Sequence, residues 1–169
     1  MKVLVTGGVR SGKSAHAESL LADRPAVRYV APGPTHDDAD WAARISAHQA
    51  RRPVSWTTVE THDLAAALAT DGPVLVDCLG TWLTAVVDGA GLWQAPAGVV
   101  LDLVEERVAA AVGILGDDAV LVTNEVGLGV VPEHRSGRLF RDLLGMVNQR
   151  FAAVCDEVHL VVAGRVLRL

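Results

Sequence analysis

At 169 residues with a formal net charge of −5, the chain is long enough to bury a proper core and has no overall attraction to nucleic acid. Half of its residues are hydrophobic, yet Asp, Glu, Arg and Lys interrupt each apolar stretch before it could span a bilayer. Cys78 and Cys155 are too few and too far apart for a disulfide framework or a zinc site; they read as buried free thiols in a cytoplasmic protein with a small-molecule substrate.

Short apolar runs alternate with helical stretches, which predicts one α/β domain over residues 1–169 with a largely parallel sheet. The first strand, Lys2–Thr6, delivers the chain into Gly7-Gly8-Val9-Arg10-Ser11-Gly12-Lys13-Ser14, and a helix-forming stretch, Ala15–Ala22, follows. The octapeptide fits G-x-x-x-x-G-K-[ST], and strand, loop and helix stand in the order a P-loop requires. Glycines let the backbone wrap a phosphate, and the helix start presents free amides and a positive dipole end. Lys13 then reaches the β/γ-phosphates and the Ser14 hydroxyl ligates Mg²⁺. A glycine-rich turn capped by Ser14 is the competing reading, and it leaves the Lys-Ser register unexplained.

A second strand is expected at Val27–Ala31. Asp37–Arg52 reads as a helix, capped by Asp37 or Asp38 and stopped by Pro53. Arg44, His48 and Arg51 are four and three residues apart, on one helix face. Two flanking arginines disfavour the imidazolium, and a neutral imidazole is the form that attacks phosphorus. By spacing alone His48 is either a covalent nucleophile or a solvated histidine on a basic face, with the second the commoner case.

Further strands are expected at Ser55–Val59 and Val74–Asp77. The latter has the form of a Walker B strand, placing Asp77 at the sheet edge to hold Mg²⁺ or simply to end the strand in a turn. Val87–Gly98 reads as a loop and Val99–Leu115 as a helix. Ala119–Thr123 is a strand ending in Asn124-Glu125, with Glu125 either a site carboxylate or a solvated turn residue. Because Asn124 is followed by Glu125, the Asn-Lys-x-Asp guanine-reading motif is missing there, which disfavours a regulatory GTPase. Ser136–Cys155 is a helix with Leu139, Phe140, Leu143, Leu144, Val147, Phe151 and Val154 as its apolar stripe. Strands Val158–Ala163 and Val166–Leu169 close the pattern. Of the other histidines, His16 is expected at the surface or a subunit contact. His36, His62, His134 and His159 show no metal-ligand spacing with a carboxylate.

Three segments carry more than general chemistry. Gly7–Ser14, then Arg44-Ile45-Ser46-Ala47-His48 followed by Arg52-Pro53-Val54-Ser55-Trp56, then Asn124-Glu125-Val126-Gly127-Leu128-Gly129-Val130-Val131-Pro132 stand in order. With Phe140–Arg150, they resemble the bifunctional adenosylcobinamide kinase/adenosylcobinamide-phosphate guanylyltransferase family over essentially the whole chain. The resemblance implies a P-loop fold with a RecA-like core and a homotrimer. It implies phosphorylation of adenosylcobinamide by ATP or GTP, then transfer of GMP from GTP to that phosphate, releasing pyrophosphate. It makes His48 the carrier of GMP, and places nucleotide contacts at the P-loop, at Ala31, Pro32 and Gly33, at Gln49, Ala50, Arg51 and Arg52, at Glu60 and at Asp77. Pro32 stands where the family often has a hydroxyl residue. The alternatives are a P-loop kinase of another small alcohol and a nucleotide-binding regulatory protein.

Overall fold

The computed structural model describes residues 1–33 and 52–169. Seven strands form one sheet: β1 (Lys2–Gly7), β2 (Arg28–Ala31), β3 (Thr57–Glu60), β4 (Val74–Asp77), β5 (Ala119–Val122), β6 (Glu157–Val162) and β7 (Arg165–Arg168). Their order is β3-β2-β4-β5-β1-β6-β7. Every pairing is parallel except β6 with β7, which form an antiparallel hairpin. The fold class is therefore the α/β one expected, with all seven strands close to their expected positions.

Alternation along the strands decides what covers each face. Val3, Val5, Leu75, Val120 and Val122 point to one side, where they pack with Ala17 and Leu21 from α1 (Lys13–Leu20) and its C-terminal end. Leu4, Val74, Val76, Ala119 and Leu121 point to the other. There they meet α2 (Leu64–Leu68), α3 (Leu79–Ala90), α4 (Ala97–Ile114) and α5 (Arg135–Ala152). The predicted stripe of α5 buries Leu139, Leu143, Leu144, Val147 and Phe151. Each such side chain contributes about 1.5–3 kcal/mol by leaving water.

The stretch Val87–Gly98 is not all loop. Helix α3 continues through Ala90 and stops where Gly91 adopts a left-handed φ of 65°, and α4 opens just after Pro96. The sequence hides α3, because Gly80, Gly89 and its threonines and valines are weak helix formers. It forms because Leu79, Trp82, Leu83 and Val87 bury one face completely or nearly so, and tertiary packing overrides propensity. Cys78 is buried and Cys155 half-buried, both as free thiols. Among the described residues no helix is long and apolar enough to cross a membrane.

Candidate active site

Because β1 to β5 run parallel, their C-terminal ends open on one edge of the sheet. That edge is where ligands bind in open α/β sheets. It gathers the Gly7–Ser14 loop, Pro32 and Gly33 after β2, Glu60 at the end of β3, Asp77 at the end of β4 and Thr123–Glu125 after β5. Strand β5 lies between β1 and β4, so the P-loop and Asp77 are separated by the Thr123–Glu125 turn.

The loop has the backbone its motif demands. A methyl group on Gly7 would sit 2.5 Å from the Val161 carbonyl oxygen, so no other residue fits without movement. Arg10 (φ 53°) and Gly12 (φ 96°) both take left-handed conformations, which turn the chain into α1. Gly12 is the residue preceding that helix and has no side chain to cap it, so the first-turn amides are left for a ligand. Lys13 is buried and its Nζ donates to the Gly8 carbonyl at 3.1 Å, which also accepts from the Ser11 amide. Ser14 is half-buried, while Val9 and Arg10 are exposed. The β6–β7 turn braces the loop, with the Gly164 amide donating to the Ser11 carbonyl at 2.8 Å.

Further along the edge, beyond β5 and β4, Ala31 is in register with Glu60, whose side chain is exposed. Pro32 is buried, and its carbonyl is 3.1 Å from His62 Nδ1. A methyl on Gly33 would come within 2.8 Å of Thr81 Cβ, so this turn presses its backbone against the start of α3. Pro32 keeps a backbone role here although it has no hydroxyl.

Asp77 accepts a hydrogen bond from the Tyr29 hydroxyl at 3.2 Å. The Arg52 guanidinium lies over the same ring, 3.6 Å from its centroid, and donates to Thr58 Oγ1 at 3.2 Å. Tyr29 thus joins two expected site residues, although no sequence pattern singles it out from its β-strand neighbours. Cys78, adjacent to Asp77, is kept a neutral thiol, its pKa raised by burial and then by the Asp77 charge. His48, Gln49, Ala50 and Arg51, with Arg44, lie outside the described residues.

Glu125 is turned onto its own loop: its Oε1 accepts from the Gly127 amide at 2.8 Å, and its backbone amide donates to the Gly7 carbonyl. Thr123 Oγ1 donates to Asn148 Oδ1 at 2.6 Å, and Asn148 Nδ2 donates to the Asn124 carbonyl at 3.1 Å. Asn148 fixes that turn from α5. Its signal was available, since a polar residue one step beyond Val147 and four beyond Leu144 lies against the apolar stripe.

His16 is half-buried on α1 and has a partner the sequence does not reveal: its Nε2 is 2.9 Å from Nδ1 of the buried His159, whose Nε2 is 2.7 Å from Glu157 Oε2. An ionised carboxylate only accepts, so His159 donates through Nε2 and, when neutral, accepts from His16 through Nδ1. The three residues lie on α1 and β6 and are invisible as a cluster in the sequence. Burial, then His159 and Arg168, hold the His16 pKa below its ordinary 6.5. The unfolded chain therefore binds this proton at higher pH than the folded one, and stability is lost as pH falls below the unfolded value. Melting temperature is expected to drop from pH 8 to pH 5.5, with a shallower slope in His16→Gln; equal slopes would contradict this.

Known proteins agree with this architecture. A family model described as cobinamide kinase / cobinamide phosphate guanyltransferase matches residues 3–169. The chain is 43% identical to the bifunctional adenosylcobalamin biosynthesis protein CobU of Salmonella typhimurium, covering 97% of each chain. It is 39% identical to the bifunctional adenosylcobalamin biosynthesis protein CobP of Pseudomonas aeruginosa, over 97% of this chain and 94% of that one. In fold it is similar to a Pyrococcus horikoshii protein solved as a structural study of project PH0250. That match has a TM-score of 0.53 at 9% identity and covers 99% of this chain and 84% of the other.

Proposed function

The chain belongs to the cobinamide kinase / cobinamide phosphate guanyltransferase family, and we propose that it carries out both reactions of that name in cobalamin assembly. It phosphorylates the hydroxyl of adenosylcobinamide with ATP or GTP, then transfers GMP from GTP to the new phosphate. The products are adenosyl-GDP-cobinamide and pyrophosphate. The observation that carries this reading is the full-length family match on a chain whose P-loop, β2 turn and Asp77 converge on one sheet edge.

The loop amides and the start of α1 hold the triphosphate, and Lys13 swings from the Gly8 carbonyl to its β/γ-oxygens. Pro32, Gly33 and Glu60 border the nucleotide on the β2–β3 side. In the kinase step the acceptor hydroxyl attacks the γ-phosphorus in line, and Lys13 offsets the charge on the phosphoryl oxygens. In the second step His48 attacks the α-phosphorus, pyrophosphate leaves, and the cobinamide phosphate then displaces GMP from the imidazole. By the family resemblance, Gln49, Ala50, Arg51 and Arg52 contribute further nucleotide contacts.

Ser14 and Asp77 supply a hydroxyl and a carboxylate on the same edge, hard oxygen donors of the type magnesium takes alongside phosphate and water. Ser14 and Asp77 would hold the ion, which would supply positive charge against the phosphate oxygens. Arrangement as a homotrimer and residence in the cytoplasm complete the proposal.

The direct test is incubation with adenosylcobinamide and Mg-GTP, with products separated over time. Adenosylcobinamide phosphate is expected first, followed by adenosyl-GDP-cobinamide with one pyrophosphate released for each. Accumulation of the phosphate alone would leave a simple kinase. Absence of turnover, with nucleotide still bound, would contradict the reading.

A further inference from the structure

Tyr29 occupies the middle of β2, in register with Thr58 on one neighbour and Leu75 on the other, and is 5% exposed. Asp77 lies two residues beyond Leu75, hence on the same face of the sheet as Tyr29. The phenol donates to Asp77 Oδ2 at 3.2 Å, while the ring face carries the Arg52 guanidinium 3.6 Å from its centroid. Arg52 is fixed a second time by its bond to Thr58, the register partner of Tyr29. One buried side chain therefore touches the carboxylate at the end of β4 and the cation that enters β3.

We propose that Tyr29 is a positioning residue for nucleotide transfer: its hydroxyl orients the Asp77 carboxylate and its ring orients the Arg52 guanidinium, so the two are held as one unit. This rests on the reading of Asp77 and Arg52 as nucleotide-site residues given above. Filling the slot beside Trp56 and Leu75 needs only an apolar ring. A phenol buried there costs stability unless its hydroxyl is bonded, and it bonds the Asp77 carboxylate at the end of β4. A phenol is protonated at neutral pH and so serves as the donor in this bond. An outer partner of this sort stops a carboxylate rotating away from a cation, and removing it typically weakens metal affinity or activity by about 10- to 100-fold. The planar guanidinium stacks on an aromatic face as a lysine would not.

The test separates the two links. Tyr29→Phe keeps the stacking face and deletes the hydroxyl, while Tyr29→Leu deletes both. Binding of a fluorescent GTP analogue is titrated with and without Mg²⁺, beside melting temperature and kinase kcat and KM. For Tyr29→Phe, affinity without metal and melting are expected to stay near wild type. The Mg²⁺ needed for half of the metal-linked gain in affinity rises about 10-fold or more, and kcat falls with little change in KM. Tyr29→Leu is expected to weaken metal-free binding as well. A Tyr29→Phe protein with wild-type Mg²⁺ dependence and kcat overturns the proposal, whatever Tyr29→Leu does. The binding arm needs no cobinamide, so its outcome stands even if another alcohol is the acceptor.

Discussion

Lys13→Ala is expected to abolish both reactions together, lowering kcat/KM for phosphorylation and for guanylyl transfer by about 10³-fold. Its ammonium is buried at the loop and folded onto the Gly8 carbonyl, within a loop built to wrap a triphosphate. On the proposed reading each reaction draws its own triphosphate into this one loop, so loss of that grip touches both. Fold is expected to survive, because Ala17 and Leu21 anchor α1 on the sheet independently of Lys13. Parallel assays on one protein preparation measure this, and a variant that loses one reaction and keeps the other would mean separate nucleotide sites.

His48→Ala is the complementary case. Guanylyl transfer is expected to fall by on the order of 10⁴- to 10⁶-fold, the scale seen when a covalent nucleophile is removed. Phosphorylation is expected to stay within about 3-fold, because the γ-phosphate attack uses the acceptor hydroxyl and not the imidazole. Adenosylcobinamide phosphate would then accumulate as the end product. Equal loss of both activities would make His48 part of the nucleotide grip and not a GMP carrier.

The parts of the site that follow from local order were legible in the sequence. Gly7–Ser14 reads as a P-loop because strand, glycines, Lys-Ser and helix come in one short run, and Arg10 and Gly12 take the turning conformations such a loop needs. Asp77 could be placed at the sheet edge because a strand of buried apolar residues ends there. Tyr29, by contrast, looked like any β-strand aromatic. Its role depends on Arg52 and Asp77, 23 and 48 residues away, arriving on either side of it, which periodicity cannot report. The Glu157–His159–His16 cluster was missed for the same reason, since parallel pairing of β1 with β6 creates it. Helix α3 was missed because its burial, not its propensity, holds it together. His48 was ambiguous by spacing and gains its role from family resemblance alone.

The central claim is that one triphosphate site serves attack at the γ-phosphate and, through His48, at the α-phosphate. The most direct measurement incubates wild-type protein with Mg²⁺ and GTP labelled at either the α- or the γ-phosphate, without cobinamide, and then denatures it. The expected result is one equivalent of α-label on the chain, stable to base and lost in acid, absent from His48→Ala, with no γ-label retained. Retention of γ-label instead, or α-label that persists in His48→Ala, would contradict it.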